Sequence, residues 1–218
     1  MANGTELLGD AVYARLVDLI FTGDLQPGAP LSVPALAARL DVSRSPVRES
    51  VQRLIADGLA VHVAHAGARV AEVDEETIAD VMTVRELLDG LAAREATRRA
   101  DGEQIAQLRR LLEEQEALLG SAADGLVDAR LDLEFHTAVR DLAGNPTLSD
   151  ALHRLDTKAH LYNSGLWEDD ENRRIALLEH RRIVDAIAAG DAEAAGVAAE
   201  AHVSSVLVRM RRLARRRP

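Results

Sequence analysis

The sequence predicts a mostly α-helical chain in two parts: three helices and a two-stranded hairpin over residues 1–73, then an all-α helical bundle over residues 74–218. Three observations lead there. Apolar residues recur at helical spacing through most of the chain. Two β-prone runs flank "HAGA" near residue 65, the pattern of a hairpin. Beyond Asp74 strand signals vanish, and helical stretches end at Gly, Asp and Pro punctuation.

Taken in order, Leu7, Val12, Leu16, Leu19 and Ile20 line one face of a helix over 6–22. "GDLQPGAPL" breaks it. "SVPALAARL" (32–40) reads as a short helix with Ser32 as N-cap. "DVS" is a tight turn, and Ser43 is placed to cap the next helix, with Pro46 tolerated in its first turn. That helix runs through Arg48, Val51, Leu54 and Ile55 to a stop at Gly58. "LAVHVAHAGARVAEV" (59–73) is the hairpin. From Asp74 about six helices follow. Their boundaries are Asp101-Gly102, Ser121 to Gly125, Gly144-Asn145-Pro146, a loose "NSGLWEDDE" and Gly190-Asp191.

Composition bounds the function. A 47% hydrophobic, 28% charged chain of 218 residues reads as globular and cytoplasmic. No apolar run approaches the roughly 20 residues that span a bilayer, and "MANGTELLGDAV" lacks a signal-peptide pattern. The absence of cysteine excludes disulfides and thiolate metal sites. A net charge of −10 argues against a protein that coats nucleic acid, yet the basic residues cluster. Residues 39–53 hold Arg39, Arg44, Arg48 and Arg53 against Asp41 and Glu49, and six arginines fall in the last ten residues. That tail reads as a solvated helix end complementing the helix dipole, with contact to the DNA backbone as the lesser alternative.

Helix, turn, helix and hairpin together describe a winged helix-turn-helix, whose second motif helix enters the major groove by its N-terminus. Here it begins "SRSPVRES". Arg44 and Arg48, four apart, share a face and can fork onto guanine or clamp phosphate. Ser43 and Ser45 offer hydroxyls and free N–H groups to phosphate.

In the second part, His180 has Ala176, Leu177, Ile183, Val184 and Ile187 as helical neighbours, and His202 has Ala198, Ala199 and Val206. Both are therefore directed inward, where an imidazole needs a partner. If Gly190-Asp191 closes a helical hairpin, each lies about 15 Å from the turn at ~1.5 Å per residue, so the two are level. "DLEFH" places Asp132 and His136 on one face with Ala129, Val139 and Ala143. A carboxylate on an apolar stripe is costly unless paired or metal-bound. Each of the four, taken singly, also reads as a hydrogen-bonded core residue. Together, Asp132, His136, His180 and His202 form a candidate divalent-metal site suited to Zn, Ni or Mn. His153 and His160, near Arg154 and Lys158, read as partly exposed.

The residues 23–70, with "PG..L", "LA..L.VSR.PVRE" and "RL...GL......G..V", resemble the DNA-binding domain of GntR-family bacterial transcription regulators. The resemblance implies operator contacts at Ser43, Arg44, Ser45 and Arg48, a wing tip from His65 to Gly67 in the minor groove, and a homodimer on a short palindrome. This chain departs from some members at Val33-Pro34, where they carry a basic residue; Arg39 is the candidate substitute. Residues 78–210, with "VRELLDGLAAREA", "D...FH", "NP.L" and "EHRRIVDAIAAGD", resemble the FCD sensing domain of the FadR subfamily. That implies metal ligation by Asp132, His136, His180 and His202, and a small organic-acid effector completing the coordination, with Arg85 pairing to it. The expected function is a ligand-responsive transcription regulator and not an enzyme. The alternatives are a helical metalloenzyme, for which no HExxH or spare general base is evident, and a DNA-binding regulator with a purely structural metal.

Overall fold

The structure is a computed structural model that describes residues 3–120, 125–162 and 164–215. The chain divides into two compact units, Met1–Val73 with His160–Tyr162, and Asp74–Ala159 with Asn163–Pro218. The predicted fold class holds: helices dominate both units, and the described strands form one hairpin.

The first unit runs α1 (Asn3–Phe21), α2 (Val33–Leu40), α3 (Arg44–Ala56), β1 (Ala60–Val63) and β2 (Gly67–Val70). Its core joins Leu16 of α1, Val47 and Leu54 of α3, and Leu59 and Val70 of the hairpin, all nearly inaccessible. Fully burying such side chains contributes about 1.5–3 kcal/mol each. The turn between α2 and α3 uses Asp41 in the left-handed region, φ 54°. Ser32 and Ser43 stand at the N-cap positions with extended backbone, but neither hydroxyl makes the capping hydrogen bond expected of it. The buried Ser50 hydroxyl donates to the Pro46 carbonyl at 2.8 Å, which removes the cost of its burial.

In the hairpin Ala60 pairs with Val70 and Val63 with Gly67. His65 (φ 60°) and Gly67 (φ 80°) turn the tip. The segment before α2 adds a third, minimal partner: Pro30 bridges to Arg69, and Leu31 N–H donates to the Ala68 carbonyl. Gly28 permits the turn that leads into this approach, since its φ of 76° is a conformation L side chains rarely adopt.

In the second unit the described helices are α4 (Glu75–Arg99), α5 (Gly102–Leu118), α6 (Gly125–Leu142), α7 (Pro146–Tyr162, its last three residues grouping with the first unit), α8 (Asp170–Ala188) and α9 (Ala192–Ala214), with a 3-10 turn at Ser164–Glu168. Aspartates open four of the six. Asp74, Asp101, Asp169 and Asp191 each accept from a backbone N–H of the first turn, and Asp101 forms a full capping box with Gln104. The helix break expected between Ser121 and Gly125 falls mainly on residues 121–124, outside the described residues, as do the last arginines of the tail at 216–217.

α9 lies antiparallel along α4. Arg94 bonds Glu193 and Glu200, while Glu86, two turns earlier, accepts from Ser204. Phe135 and Leu108 pack with Ile183, Val184 and Ile187 of α8 and Ala199 of α9 into one core. Gly190, at φ 72°, closes the α8–α9 hairpin. That hairpin sets the relative height of every polar residue the two helices carry.

Candidate functional site

α6 carries a polar row through its buried face. Asp128, Asp132, His136 and Arg140 follow at four-residue intervals and are all buried, beside Ala129, Phe135 and Val139. Four-residue spacing stacks them one above another. α8 contributes His180 and α9 contributes His202, each nearly inaccessible. One ligand atom from each of Asp132, His136, His180 and His202 lies within 4.8 Å of every other. The ring centroids of His180 and His202 are 4.6 Å apart, so the hairpin does bring them level. Phe135 stacks on His180 at 4.0 Å and holds its ring plane.

The hydrogen bonds around these rings decide their chemistry. Gln115 of α5 donates its amide N–H to the Leu131 carbonyl at 3.1 Å, so its oxygen faces His180. His180 Nδ1 lies 3.0 Å from that oxygen and must be the protonated nitrogen. Burial first, then the neighbouring His202, pushes the His180 pKa well below its ordinary value, so the ring is neutral. Its Nε2 then carries a lone pair. That lone pair lies 3.4 Å from Asp132 Oδ1, with no hydrogen bond to Nε2. His136 is likewise held neutral, chiefly by burial. Its Nε2 is 3.7 Å from Asp132 Oδ2.

Two electron-rich atoms facing each other in a buried site repel unless a cation lies between them. Donors held at ~2.1 Å from one ion lie roughly 3–4 Å apart, so these spacings fit a shared divalent cation. His202 is prepared in the same sense. Its Nδ1 sits 2.9 Å from Glu179 Oε2, and Arg209 donates to both Glu179 oxygens at 3.1 Å. Burial alone would raise the Glu179 pKa; the bonds from His202 and Arg209 outweigh it and hold the carboxyl at about 2. A carboxylate behind an imidazole fixes the tautomer that leaves the other nitrogen free to ligate.

A charged layer adjoins the cluster. Arg85 Nε donates to Asp89 at 3.2 Å, and Arg85 Nη2 pairs with Asp156 Oδ1 at 2.7 Å. The other Asp156 oxygen pairs with Arg140 at 2.6 Å, and Arg140 also donates to Thr137. Arg85 is thus already committed to two carboxylates, a role the sequence reading did not foresee. Its charge still reaches Asp132 and His136. A small cavity opens beside the cluster, lined in part by Asp89, Phe135, His136, Ile183 and His202.

Asp156, Arg140, Glu179, Gln115 and the buried pair Asp128–Arg173 (2.9 Å) were missed in the sequence reading. For Asp128 and Arg140 a signal existed, since they continue the four-residue row of Asp132 and His136. His160 is buried, against the partial exposure expected from Lys158 and Arg154. Its ring stacks on Phe21 of α1 with centroids 6.0 Å apart, and it groups with the first unit, a contact that neighbouring residues in the chain do not announce.

In the first unit Ser43, Arg44, Ser45 and Arg48 are all exposed at the start of α3, while Pro46, Val47 and Val51 face the core. Arg44 and Arg48 enter no ion pair among the described residues, so both guanidiniums face solvent. Ser45 donates to Glu49 at 3.2 Å. Arg39 pairs with Asp24 at 2.9 Å on the surface, a contact worth little that leaves it exchangeable. His65 and Gly67 are exposed at the wing tip.

Residues 80–205 match the FCD domain, and residues 8–70 match the bacterial regulatory proteins of the gntR family. The chain belongs to the GntR family of transcriptional regulators. The probable D-xylose utilization operon transcriptional repressor of Paenarthrobacter nicotinovorans is 32% identical, over 94% of this chain and 92% of its own. The galactonate operon transcriptional repressor of Escherichia coli K12 is 27% identical, over 94% and 97%. Among solved structures, a putative GntR transcriptional regulator from Rhodococcus sp. RHA1 is 28% identical with a TM-score of 0.71, covering 93% of this chain and 96% of the other. Escherichia coli McbR/YncC shares the fold, with a TM-score of 0.82 at 20% identity over 95% and 98%. The Paenarthrobacter, galactonate-operon and Rhodococcus proteins are named as transcriptional repressors or regulators. No described helix is long and apolar enough to cross a membrane.

Proposed function

We propose that this GntR-family regulator binds operator DNA as a homodimer in the cytoplasm and senses a small organic acid at a divalent metal in its FCD domain. The observation that carries the sensing half is the facing of His180 Nε2 and Asp132 Oδ1, two lone-pair-bearing atoms 3.4 Å apart in a buried site. Asp132, His136, His180 and His202 would hold the ion. Nitrogen and oxygen donors of this kind suit Zn, Ni or Mn. The ion's chemistry there is to accept an anionic oxygen donor.

Charge supports an anionic effector. Arg85 and Arg140 stand against Asp89, Asp132 and Asp156, one net negative charge for these five buried groups, while Arg173 is balanced by Asp128 and Arg209 by the half-buried Glu179. A divalent cation turns this into one net positive charge, which a single carboxylate neutralises. Arg85 would act on that carboxylate through its field, already paired as it is with Asp89 and Asp156. Asp89, at the cavity wall, is placed to accept a hydroxyl from the same ligand. One relative is named for galactonate, a sugar acid, which is consistent with this chemistry.

Operator contact is assigned to Arg44 and Arg48, with Ser43 and Ser45 on phosphate, Arg39 on the flanking backbone, and His65 and Gly67 at the wing. The effector acts on DNA affinity only in so far as it prefers one arrangement of the dimer.

The test is a gel shift on the chain's own upstream DNA, with metal-loaded and chelated protein, across a panel of hydroxy acids and dicarboxylates. The expected outcome is a complex whose affinity changes with one acid only when metal is present. A metal that raises the melting temperature while no acid alters DNA binding would make it structural and overturn the sensing role.

A further inference from the structure

A neutral imidazole carries one proton on one of its two nitrogens, and for His180 the choice decides whether the cluster can take an ion. With the proton on Nε2, the ring would present an N–H to Asp132 Oδ1, 3.4 Å away. A small ring rotation turns that contact into a hydrogen bond. The cluster would then close on itself, with the carboxylate oxygen facing a proton donor instead of a cation. With the proton on Nδ1, Nε2 is a bare lone pair in a buried site, and it has no hydrogen-bond partner among the described residues.

Gln115 makes the choice, and Leu131 makes it for Gln115. The Gln115 amide donates an N–H to the Leu131 carbonyl at 3.1 Å. Inverted, it would set its oxygen against that carbonyl, two acceptors with no proton between them. The oxygen is therefore turned to His180 Nδ1, 3.0 Å away, where only an N–H satisfies it. Phe135, stacked on the ring at 4.0 Å, holds its plane but is indifferent to which nitrogen is protonated. Leu131 directly precedes Asp132, so one turn of α6 carries both the carboxylate and the carbonyl that starts the relay. The relay runs from α6 through α5 to α8 and ends facing α6 again. His202 is backed by a carboxylate, Glu179, whereas His180 is backed by an amide, which orients the ring and adds no negative charge beside Asp132.

We infer that Gln115 is a positioning residue for metal capture. It holds the His180 proton on Nδ1 and so bars the His180–Asp132 hydrogen bond that would close the cluster before an ion arrives. This rests on the metal reading above and adds a residue outside the four ligands. A side chain that only tied α5 to α6 would need its N–H on Leu131 but not its oxygen on His180.

The experiment uses the full-length chain, stripped of metal and carrying isotope-labelled histidine. Long-range proton–nitrogen correlation spectra read which nitrogen of His180 bears the proton, with His180→Asn assigning its signals among the seven histidines. Zinc affinity is measured by chelator competition. Gln115→Met keeps the length and loses both hydrogen bonds. Gln115→Glu keeps an acceptor for His180 and loses the donor to Leu131. In wild type the proton is expected on Nδ1. In Gln115→Met it moves to Nε2, and zinc affinity falls about 10–100-fold. In Gln115→Glu it stays on Nδ1, and zinc affinity stays at or above the wild-type level, since a carboxylate behind an imidazole raises its basicity.

A wild-type His180 protonated on Nε2, or a Gln115→Met protein that binds zinc like wild type, overturns the role of Gln115. Equal losses of zinc affinity in the two variants reduce Gln115 to a tie between helices and overturn it as well. These outcomes leave the metal reading standing. A wild-type chain that binds no zinc, nickel or manganese overturns the metal reading and this role with it; the tautomer, measured without metal, tells the two failures apart.

Discussion

Replacing Asp156 tests whether the charged layer beside the Asp132, His136, His180 and His202 cluster is a structural requirement of the second unit. Its side chain is 1% exposed and bridges two guanidiniums, Arg85 at 2.7 Å and Arg140 at 2.6 Å. Asp156→Ala leaves Arg85 with Asp89 and Arg140 with only the Thr137 hydroxyl among its described partners. Stranding a buried charge costs about 3–5 kcal/mol, which applies in full to Arg140. The loss at Arg85 is smaller, about 1–3 kcal/mol, since one carboxylate remains. Groups in one network do not add, so about 4–6 kcal/mol is expected overall.

For a chain of this size that lowers the melting temperature by roughly 10–20 °C, at ~2–4 °C per kcal/mol. Asp156→Asn keeps the volume and one acceptor oxygen, so about half the loss is expected. Trp167 is the single tryptophan and packs on Ala129 and Ala176 of the same unit, so its fluorescence follows the relevant unfolding. Urea titration in excess chelator removes any metal linkage. An Asp156→Ala protein within ~1 kcal/mol of wild type would refute the argument that this carboxylate compensates two buried arginines.

Two further outcomes are expected. Glu179→Gln removes the negative charge behind His202, and metal affinity measured by chelator competition should fall 10–100-fold; unchanged affinity would show that His202 is oriented by packing alone. Arg44→Ala and Arg48→Ala should each weaken operator binding by roughly 1–3 kcal/mol while metal content stays at the wild-type level. If both variants shift operator DNA like wild type, α3 does not read it through this face.

Much of this molecule was legible one segment at a time. Helical periodicity placed the inward faces of α3, α6, α8 and α9. The four-residue interval joined Asp132 to His136, and Gly190-Asp191 announced the hairpin that levels His180 with His202. These features follow from helix geometry, which depends on near neighbours in the chain and can be read without knowing the fold.

The rest required knowing which helices touch. The family resemblance assigned Arg85 to an effector; in the fold it pairs with Asp89 and with Asp156, which α7 supplies. Gln115 gave no sign of orienting His180, because α5 and α8 meet only in the folded unit. Ser43 reads as a cap, yet its hydroxyl makes no capping bond. The sequence by itself determined where each helix runs and which residue types face inward. Tertiary structure alone decided which buried charges pair and which lone pairs confront each other. The physical reason is range: backbone periodicity is settled within a turn or two, whereas a buried charge is stabilised by whatever the fold brings within about 3 Å of it.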